Sequence, residues 1–502
     1  MNTTDVLIVG AGPTGLTLAC ELARRGVAHE LIDKLPQHNS ASRAKTIQPR
    51  SLEIADDLGI AERIVDRGAI HLPTRHYRGP RILSEAVEAA IGVPSTPATP
   101  YPAPVWVAQP YVEAALRDRL AELGGEVNLG TEVVDLQQHP NFVTVTVTKD
   151  GRREEIRTRY VVGCDGGRSA VRELAGLRLT GTSYGRHRWY LGDVRITGLD
   201  RGAQHLWMND GVLSLFPLPH TDIWQFQASI PADDKQPPAP TLAHYRKIFA
   251  ERAGLPGVEI TDPTWLSLYQ INVAMVDRYR TDRVFLAGDA AHIHSPGGGQ
   301  GMNTGIQDAY NLGWKLAAAL RGTDDILESY AAERLPVARA VLDDSTARLH
   351  MVMRAAAAND GSAAQRQLTD EFTTGLTIAY PDSPLTDRAQ LPKSGIRPGE
   401  RAPDAICRDP ETGHKTRLFD LFRGTHWTLL DFGGDAEPVK SADLRVYRIT
   451  QRENGSGAIV DADGLARESY GVDEGELVLI RPDGYVATRT KSSADIERWI
   501  PA

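Results

Sequence analysis

The 502-residue chain is predicted to be a mixed α/β and α+β protein, in which a Rossmann-like domain is interrupted by a mostly antiparallel β-sheet and followed by a separate C-terminal domain. Three observations predict this. A strand, a glycine turn and a helix open the sequence around GAGPTG at 10–15. Two further glycine-punctuated segments, DGGRSAVR at 165–172 and GDAAHIHSPGGGQGMNTG at 288–305, lie far downstream. Between those two segments the pattern changes to short strand-like runs broken by prolines.

The first strand is the apolar run Val6, Leu7, Ile8, Val9, and Leu16, Leu18, Ala19, Leu22 and Ala23 mark the helix. In the turn, Gly10, Gly12, Pro13, Thr14 and Gly15 are candidate ligand-binding residues. Gly10 permits the turn, Gly12 lets the backbone approach a pyrophosphate, and Gly15 lets helix pack on strand, so the helix N-terminus faces phosphate. A second run, His29 to Ile32, ends in Asp33 and Lys34. An acidic side chain there accepts hydrogen bonds from ribose hydroxyls. The unit is an ADP-binding βαβ, a pattern that FAD and NAD enzymes share.

The distant segments point to a flavin. Arg283 to Ala287 reads as a buried strand ending at Gly288 and Asp289, where an aspartate is placed to hold ribityl hydroxyls. Pro296, Gly297, Gly298, Gly299 and Gly301 then precede an amphipathic stretch through Ala309, Leu312, Leu316 and Leu320. Glycines just before a helix let backbone N–H groups meet a planar ligand, and the positive helix end favours negative charge on a reduced isoalloxazine. Pro296, Gly299, Gly301, Met302 and Asn303 are therefore candidate flavin contacts. Pro296 and Gly299 act as backbone positioning elements, and no side-chain base is assigned.

Residues 1 to about 350 resemble the FAD-dependent aromatic hydroxylases, the single-component flavoprotein monooxygenases related to p-hydroxybenzoate hydroxylase. The G-x-G-x-x-G turn and acidic strand end match at Gly10, Gly12, Gly15 and Asp33, although glutamate is commoner at the last position. The D-G-x-x-S-x-V-R segment is intact at Asp165, Gly166, Ser169, Val171 and Arg172, and the G-D motif at Gly288 and Asp289. The resemblance also implies FAD contacts for Arg43 and for Gln109, which opens a helix. It implies noncovalent FAD, reduction by NADPH in preference to NADH, formation of a flavin C4a-hydroperoxide with O2, and hydroxylation of an aromatic ring. One strand-to-helix G-x-G-x-x-G turn is present, so a transient nicotinamide site is expected in a surface cleft near Arg43 and the 165–172 segment.

Composition agrees with a globular protein: 41% hydrophobic and 24% charged residues, with a formal charge of −9. Such a charge argues against nucleic acid or anionic membrane as partners. No apolar run approaches a membrane span, and the chain enters its first strand without a basic leader, so a cytoplasmic monomer or homodimer is expected. Three scattered cysteines, Cys20, Cys164 and Cys407, do not form a disulfide framework.

The flavin segments set the expected domains: 1–180 and 280–354 form one discontinuous FAD-binding domain, and 181–279 is the inserted sheet. Strand-like stretches there are Trp189 to Ile196, Val212 to Phe216 and Ile223 to Ile230. Residues 355–395 read as a helix and linker. From 396 to 502, strands at His426 to Phe432 and Asp443 to Ile449 and a hairpin at 477–487 around Pro482, Asp483 and Gly484 resemble the thioredoxin-like domain of the phenol and polyketide hydroxylase branch. The C-terminal segment has only Cys407, so C-x-x-C dithiol chemistry is absent and a structural or oligomerisation role is favoured.

Among tempting residues, His292 and His294 make a poor metal pair at i, i+2 and are assigned to packing or loop hydrogen bonds, with no metal site. Phe216 and Trp224 are the candidate substrate contacts; Trp207 and Tyr269 are assigned to the core. The stretch HLPTRHYRGPR at 71–81 reads as a solvated loop. The resemblance favours a polycyclic aromatic polyketide of antibiotic biosynthesis as substrate. Simple phenol hydroxylation, antibiotic inactivation, Baeyer–Villiger insertion, a flavin reductase or dehydrogenase that does not activate oxygen, and a binding-only flavoprotein stay open.

Overall fold

The computed structural model describes residues 2–70, 72–86, 95–231, 233–295, 298–357, 371–389, 392, 394–433, 441–452 and 457–500. Pro296 and Gly297 lie outside the described residues. Strand β1 (Asn2–Val9) is central to a sheet in which it, β2 (His29–Ile32), β3 (Arg152–Gly163) and the short strand Val284–Leu286 run parallel to one another, with antiparallel strands Val143–Lys149 and Arg280–Thr281 added to the last two. Their apolar runs are continuous because both faces are covered, as a parallel sheet requires. Helix α1 (Pro13–Arg24) and the long helix α3 (Gly301–Leu320) pack together on one side. Between them in sequence lies α2 (Gln109–Glu122), which also contacts α1.

Register explains why remote glycine segments meet. Val9 pairs with both Gly163 and Ile32, and Gly163 pairs with Leu286. The chain therefore leaves four adjacent strands at one level, and the 10–15 turn, Asp33, Asp165 and Asp289 emerge side by side. This is the crevice beyond the carboxyl ends of a parallel sheet, where such folds bind nucleotides.

The second sheet is built around β4 (Thr180–Thr197), which pairs antiparallel with β5 (Ile223–Ser229) and with β6 (Glu259–Met275). Leu213–Pro217 and Gln204–Trp207 extend it. Two features depart from expectation. Thr74–Arg78 forms a strand parallel to Gln204–Trp207, and Arg81–Ala86 pairs with it, so part of the expected loop at 71–81 joins this sheet. Thr74, His76 and Tyr77 are buried, with a register irregularity between His76 and Tyr77, and the charged neighbours Arg75 and Arg78 obscure this in the sequence.

Helix α4 (Glu328–Ala357) packs against α3 and β6. Beyond it, the C-terminal sheet runs through Trp427–Asp431, with Leu444–Thr450 parallel on one side and Leu477–Ile480 antiparallel on the other. The expected hairpin is present: Leu477–Ile480 pairs with Val486–Thr490, and Gly484 takes a left-handed φ of 79° at the turn. Cys407 is buried and its thiol is pushed up to about 12 by that burial, so it is held protonated. Among the described residues, no helix is long and apolar enough to cross a membrane.

Candidate functional site

One cavity of about 1500 Å³ runs from the 10–15 turn to the face of the second sheet. Pockets for a single small ligand usually measure about 300–1,000 Å³, so this one has room for two ligands end to end. At its first end the turn is built by close backbone approach. A Cβ on Gly10, whose φ is 104°, would lie 2.5 Å from the Cys164 carbonyl oxygen, and a Cβ on Gly15 would lie 1.9 Å from the Gly10 oxygen. Gly12 is different: nothing lies within 4 Å of its Cβ position, and it lines the cavity. No side chain caps α1, which begins at Pro13, so its first-turn amides are available to an anion.

Asp33 shapes this end. Its Oδ2 accepts the Ala11 amide at 2.8 Å and its Oδ1 the Leu35 amide at 2.9 Å, leaving further lone pairs toward the cavity that Asp33 and Lys34 line. Gln109 is half structural: its Oε1 accepts the Ala44 amide at 3.0 Å and its Nε2 donates to Glu113 at 2.8 Å, which shapes the 42–44 loop. Arg43, on that loop, is exposed within the cavity.

The 165–172 segment mostly holds other segments in place. Asp165 accepts from the Ser169 hydroxyl and, at 3.2 Å, from the Val171 amide; burial pushes its carboxyl upward. Arg172 is buried and donates to the carbonyls of Ala290 at 3.2 Å and Gly167 at 3.0 Å, stapling this segment to the 288–290 turn.

Asp289 is exposed to the cavity, and among the described residues its carboxylate has no protein partner. Gly288 sits behind it and does not line the cavity. A Cβ there would lie 2.6 Å from Thr14 Oγ1, and one on Gly305 would lie 2.4 Å from the same atom, so Thr14 fills the notch between them. Gly299, Gly301 and Met302 line the cavity. Asn303 does not; it is buried and zips two segments together, donating to Gly299 O at 2.8 Å and Thr46 O at 3.1 Å while accepting the Gln48 amide at 2.8 Å. Gly288 and Asn303 thus support the cavity wall from behind, Gly288 through its missing Cβ and Asn303 through its hydrogen bonds.

The two histidines separate. His292 is fully buried, with Nε2 2.7 Å from Asp308, whose other oxygen accepts Arg334 Nε at 2.7 Å. Burial opposes the Asp308 charge, but Arg334 and His292 outweigh it and hold the carboxyl below its ordinary range. His294 Nδ1 lies 3.0 Å from the Ser295 carbonyl, and burial lowers its pKa, so the ring is neutral with Nε2 as an acceptor. That Nε2, Gln48 Oε1 and Gln300 Nε2 are buried without protein partners, and all three residues line the cavity. Together with the uncapped helix, the open Gly12 and the free Asp289, these atoms fit the polar rim of a flavin dinucleotide.

At the far end, Phe216 lies 5.8 Å from Trp106 in near-parallel stacking, and Tyr269, Trp265, Gln225 and Gln227 share the wall. Tyr269, expected in the core, lines the cavity, and burial pushes its hydroxyl up to about 12. Trp224 is the converse case. Phe216 pairs across strands with Gln225, and Pro217 with Trp224. Successive residues of a strand face opposite ways. With Phe216 and Gln225 on the cavity face, Trp224 points away into the core, fully buried with Arg201 over its ring at 5.0 Å. The sequence reasoning missed Trp106, Lys45, Gln225 and Gln227.

A parallel-sheet crevice leading into an aromatic chamber under a second sheet defines a flavoprotein of the single-component oxygenase class. The chain belongs to the FAD-dependent aromatic-ring monooxygenases: it matches the FAD binding domain family over residues 3–345 and the aromatic-ring hydroxylase C-terminal family over 396–499. It is 40% identical to a flavin-dependent monooxygenase of Mycobacteroides abscessus over 99% of both chains. It is 35% identical to 6-methylpretetramide 4-monooxygenase of Streptomyces rimosus, over 97% of this chain and 91% of that one. Aklavinone-11 hydroxylase, solved with FAD and aklavinone, superposes with a TM-score of 0.82 at 26% identity, covering 99% and 98% of the two chains.

Proposed function

We propose that this monooxygenase hydroxylates a fused-ring phenolic polyketide, with NADPH as the reductant. The observation that carries the reading is the single chamber that joins the dinucleotide crevice to a wall of Trp106, Phe216, Trp265 and Tyr269. Its volume suits a cofactor together with a multi-ring substrate, and relatives of this chain act on 6-methylpretetramide and on aklavinone.

When bound, FAD supplies the electron transfer from NADPH and the activation of O2. The protein binds and positions. Gly12 and the first turn of α1 hold the pyrophosphate, Asp33 the ribose and Asp289 the ribityl chain. The backbone of Gly299, Gly301 and Met302 flanks the ring system, with His294 Nε2, Gln48 and Gln300 offering polar contacts. Pro296 is assigned the same backbone role. Arg43 and the surface beside 165–172 receive NADPH transiently. Leu349 and Val352, from α4, and the Trp106–Phe216 stack exclude water from the chamber.

The test is a panel of simple phenols, tetracycline-type and anthracycline-type aromatics, scored by NADPH oxidation coupled to a mass gain of one oxygen atom. Coupled oxygenation of a multi-ring member supports the reading. NADPH oxidation with oxygenation of simple phenols only would overturn the substrate class, and reduction without oxygen incorporation would overturn the whole assignment.

A further inference from the structure

Lys45 lines the cavity between the flavin crevice and the aromatic chamber. Its Nζ donates to Gln225 Oε1 at 3.2 Å and lies 4.0 Å from the centre of the Phe216 ring. The next residue, Thr46, touches the flavin-side loop: its Oγ1 is 3.5 Å from the Cβ position of Gly299. Lys45 therefore stands at the seam where substrate and isoalloxazine would meet.

Its surroundings are prepared for an anion that the protein does not provide. Gln225 Oε1 already accepts Gln227 Nε2 at 2.6 Å, and Gln225 Nε2 donates to the Ser42 carbonyl, so the amide is fixed with its oxygen toward Lys45. Asp193, on β4, acts electrostatically on Lys45; its Oδ2 accepts the Ser42 amide at 2.8 Å, and burial pushes its carboxyl up to about 6. Among the described residues no carboxylate is within ion-pair distance of Nζ. Arg43 and Asp289 also line the cavity, and both act electrostatically on Tyr269. A cation enclosed against an aromatic face without an ion-paired carboxylate is costly unless a ligand completes it. Consistent with this, burial pushes Lys45 down to about 8 against the pull of Asp193.

We propose that Lys45, as the ammonium, receives the acidic ring hydroxyl of the substrate and holds the ring as the phenolate. The O–H bond of the phenol breaks and its proton passes to bulk water; no electron is gained or lost, and the phenolate is left paired with the ammonium already present. The phenolate ring is the more electron-rich form, which is what an electrophilic oxygen donor requires. The cation–π contact with Phe216 and the bond to Gln225 hold the ammonium in place. This role rests on the aromatic-hydroxylase reading but names a residue of its own.

The test uses the FAD-loaded enzyme and 7-hydroxycoumarin, a fused-ring phenol whose absorption moves to longer wavelength on ionisation. Difference spectra are taken at about pH 5.5 against free 7-hydroxycoumarin at the same pH, because its conjugated hydroxyl is more acidic than the tyrosine-like value near 10. Wild-type enzyme should bind it with the phenolate band. Lys45→Met, which keeps length and removes charge, should bind it with that band reduced at least ~10-fold at unchanged FAD content, and Lys45→Arg should restore it. If Lys45→Met is recovered without FAD, Lys45→Gln carries the same comparison. Wild-type enzyme that binds the coumarin neutral, or does not bind it, overturns the proposal, as does a phenolate band unchanged in the variants. A panel that yields no oxygenated product alongside a Lys45-dependent phenolate band would overturn the hydroxylase reading and leave the site standing.

Discussion

Arg481 of the C-terminal hairpin and Glu333 of α4 form a two-pronged ion pair with both side chains fully buried, Nη1 to Oε1 at 2.6 Å and Nη2 to Oε2 at 3.0 Å. Lys315 and Asn311, both from α3, reach the same carboxylate at 2.6 Å, and Asp483 binds Arg481 and Trp314. The C-terminal domain is thereby keyed into α3, the helix that begins at the flavin-side glycine loop. Its role in this geometry is to brace the oxygenase domain.

The first prediction concerns that key. Burial opposes ionisation of Glu333, but Arg481 and Lys315 outweigh it and hold its carboxyl far below the ordinary range. A depressed carboxyl contributes stability that is present above its unfolded value of about 4.3 and is lost as pH falls toward the folded value. Removing one member of a buried pair costs about 3–5 kcal/mol. Glu333→Gln should therefore lower stability by that amount at pH 7 and flatten the acid loss below about pH 4. Urea unfolding followed by tryptophan emission measures it, since Trp314 and Trp427 meet edge-on at 5.8 Å across the same contact. Equal stability of the variant at pH 7 would refute the keyed interface.

Gly12 and Gly15 should fail differently when changed to alanine. A Cβ on Gly15 meets the Gly10 oxygen at 1.9 Å, so Gly15→Ala should disrupt the turn and lower the melting temperature even without FAD. Gly12→Ala has open space in the protein, and its methyl would project where the pyrophosphate approaches. It should keep the melting temperature of the FAD-free protein and weaken FAD binding at least ~10-fold, about 1.4 kcal/mol. Thermal melts and flavin-fluorescence titrations separate the two, and identical behaviour of both variants would contradict the division of labour.

The glycine turn was legible in the sequence because positive φ and close backbone approach leave few choices at Gly10 and Gly15. Asp289 was legible for a similar reason, as an acid at the end of an apolar run. What lay beyond local pattern was which face of a strand looks inward. Trp224 and Gln225 are neighbours in sequence, and only the pairing of Phe216 with Gln225 tells which one reaches the chamber. Lys45 was invisible for a second reason: its partner Gln225 is 180 residues away, and the SRAK stretch gives no local sign of it. The turn at 482–484 was likewise readable as a hairpin, whereas its burial against Glu333 depends on another domain.

Asp289→Ala should lower FAD affinity by about 1–3 kcal/mol, the scale for a lost hydrogen bond to a charged group. Because the carboxylate has no protein partner among the described residues, the stability of the FAD-free protein should not change. Isothermal titration with FAD and a thermal melt of the stripped protein check both halves. A fall in stability with unchanged affinity would assign the residue to the turn itself.

Phe216 and Trp224 should part company in function. Phe216 stacks on Trp106 inside the chamber, so Phe216→Ala opens a void beside the substrate and admits water. Water in the chamber diverts reducing equivalents to hydrogen peroxide, so product formed per NADPH oxidised should fall at least ~3-fold while FAD stays bound. Trp224 is fully buried on the opposite face, where Trp224→Phe removes packing volume and leaves the Nε1 hydrogen, already without a partner, out of the account. That change should cost about 1–3 kcal/mol of stability, within the usual range for core substitutions, and leave the coupling ratio unaltered. Oxygen uptake, peroxide and product are measured together for both variants with a substrate from the panel. Should Trp224→Phe uncouple the enzyme while Phe216→Ala does not, the alternation that places Phe216 and Gln225 on the chamber face is wrong.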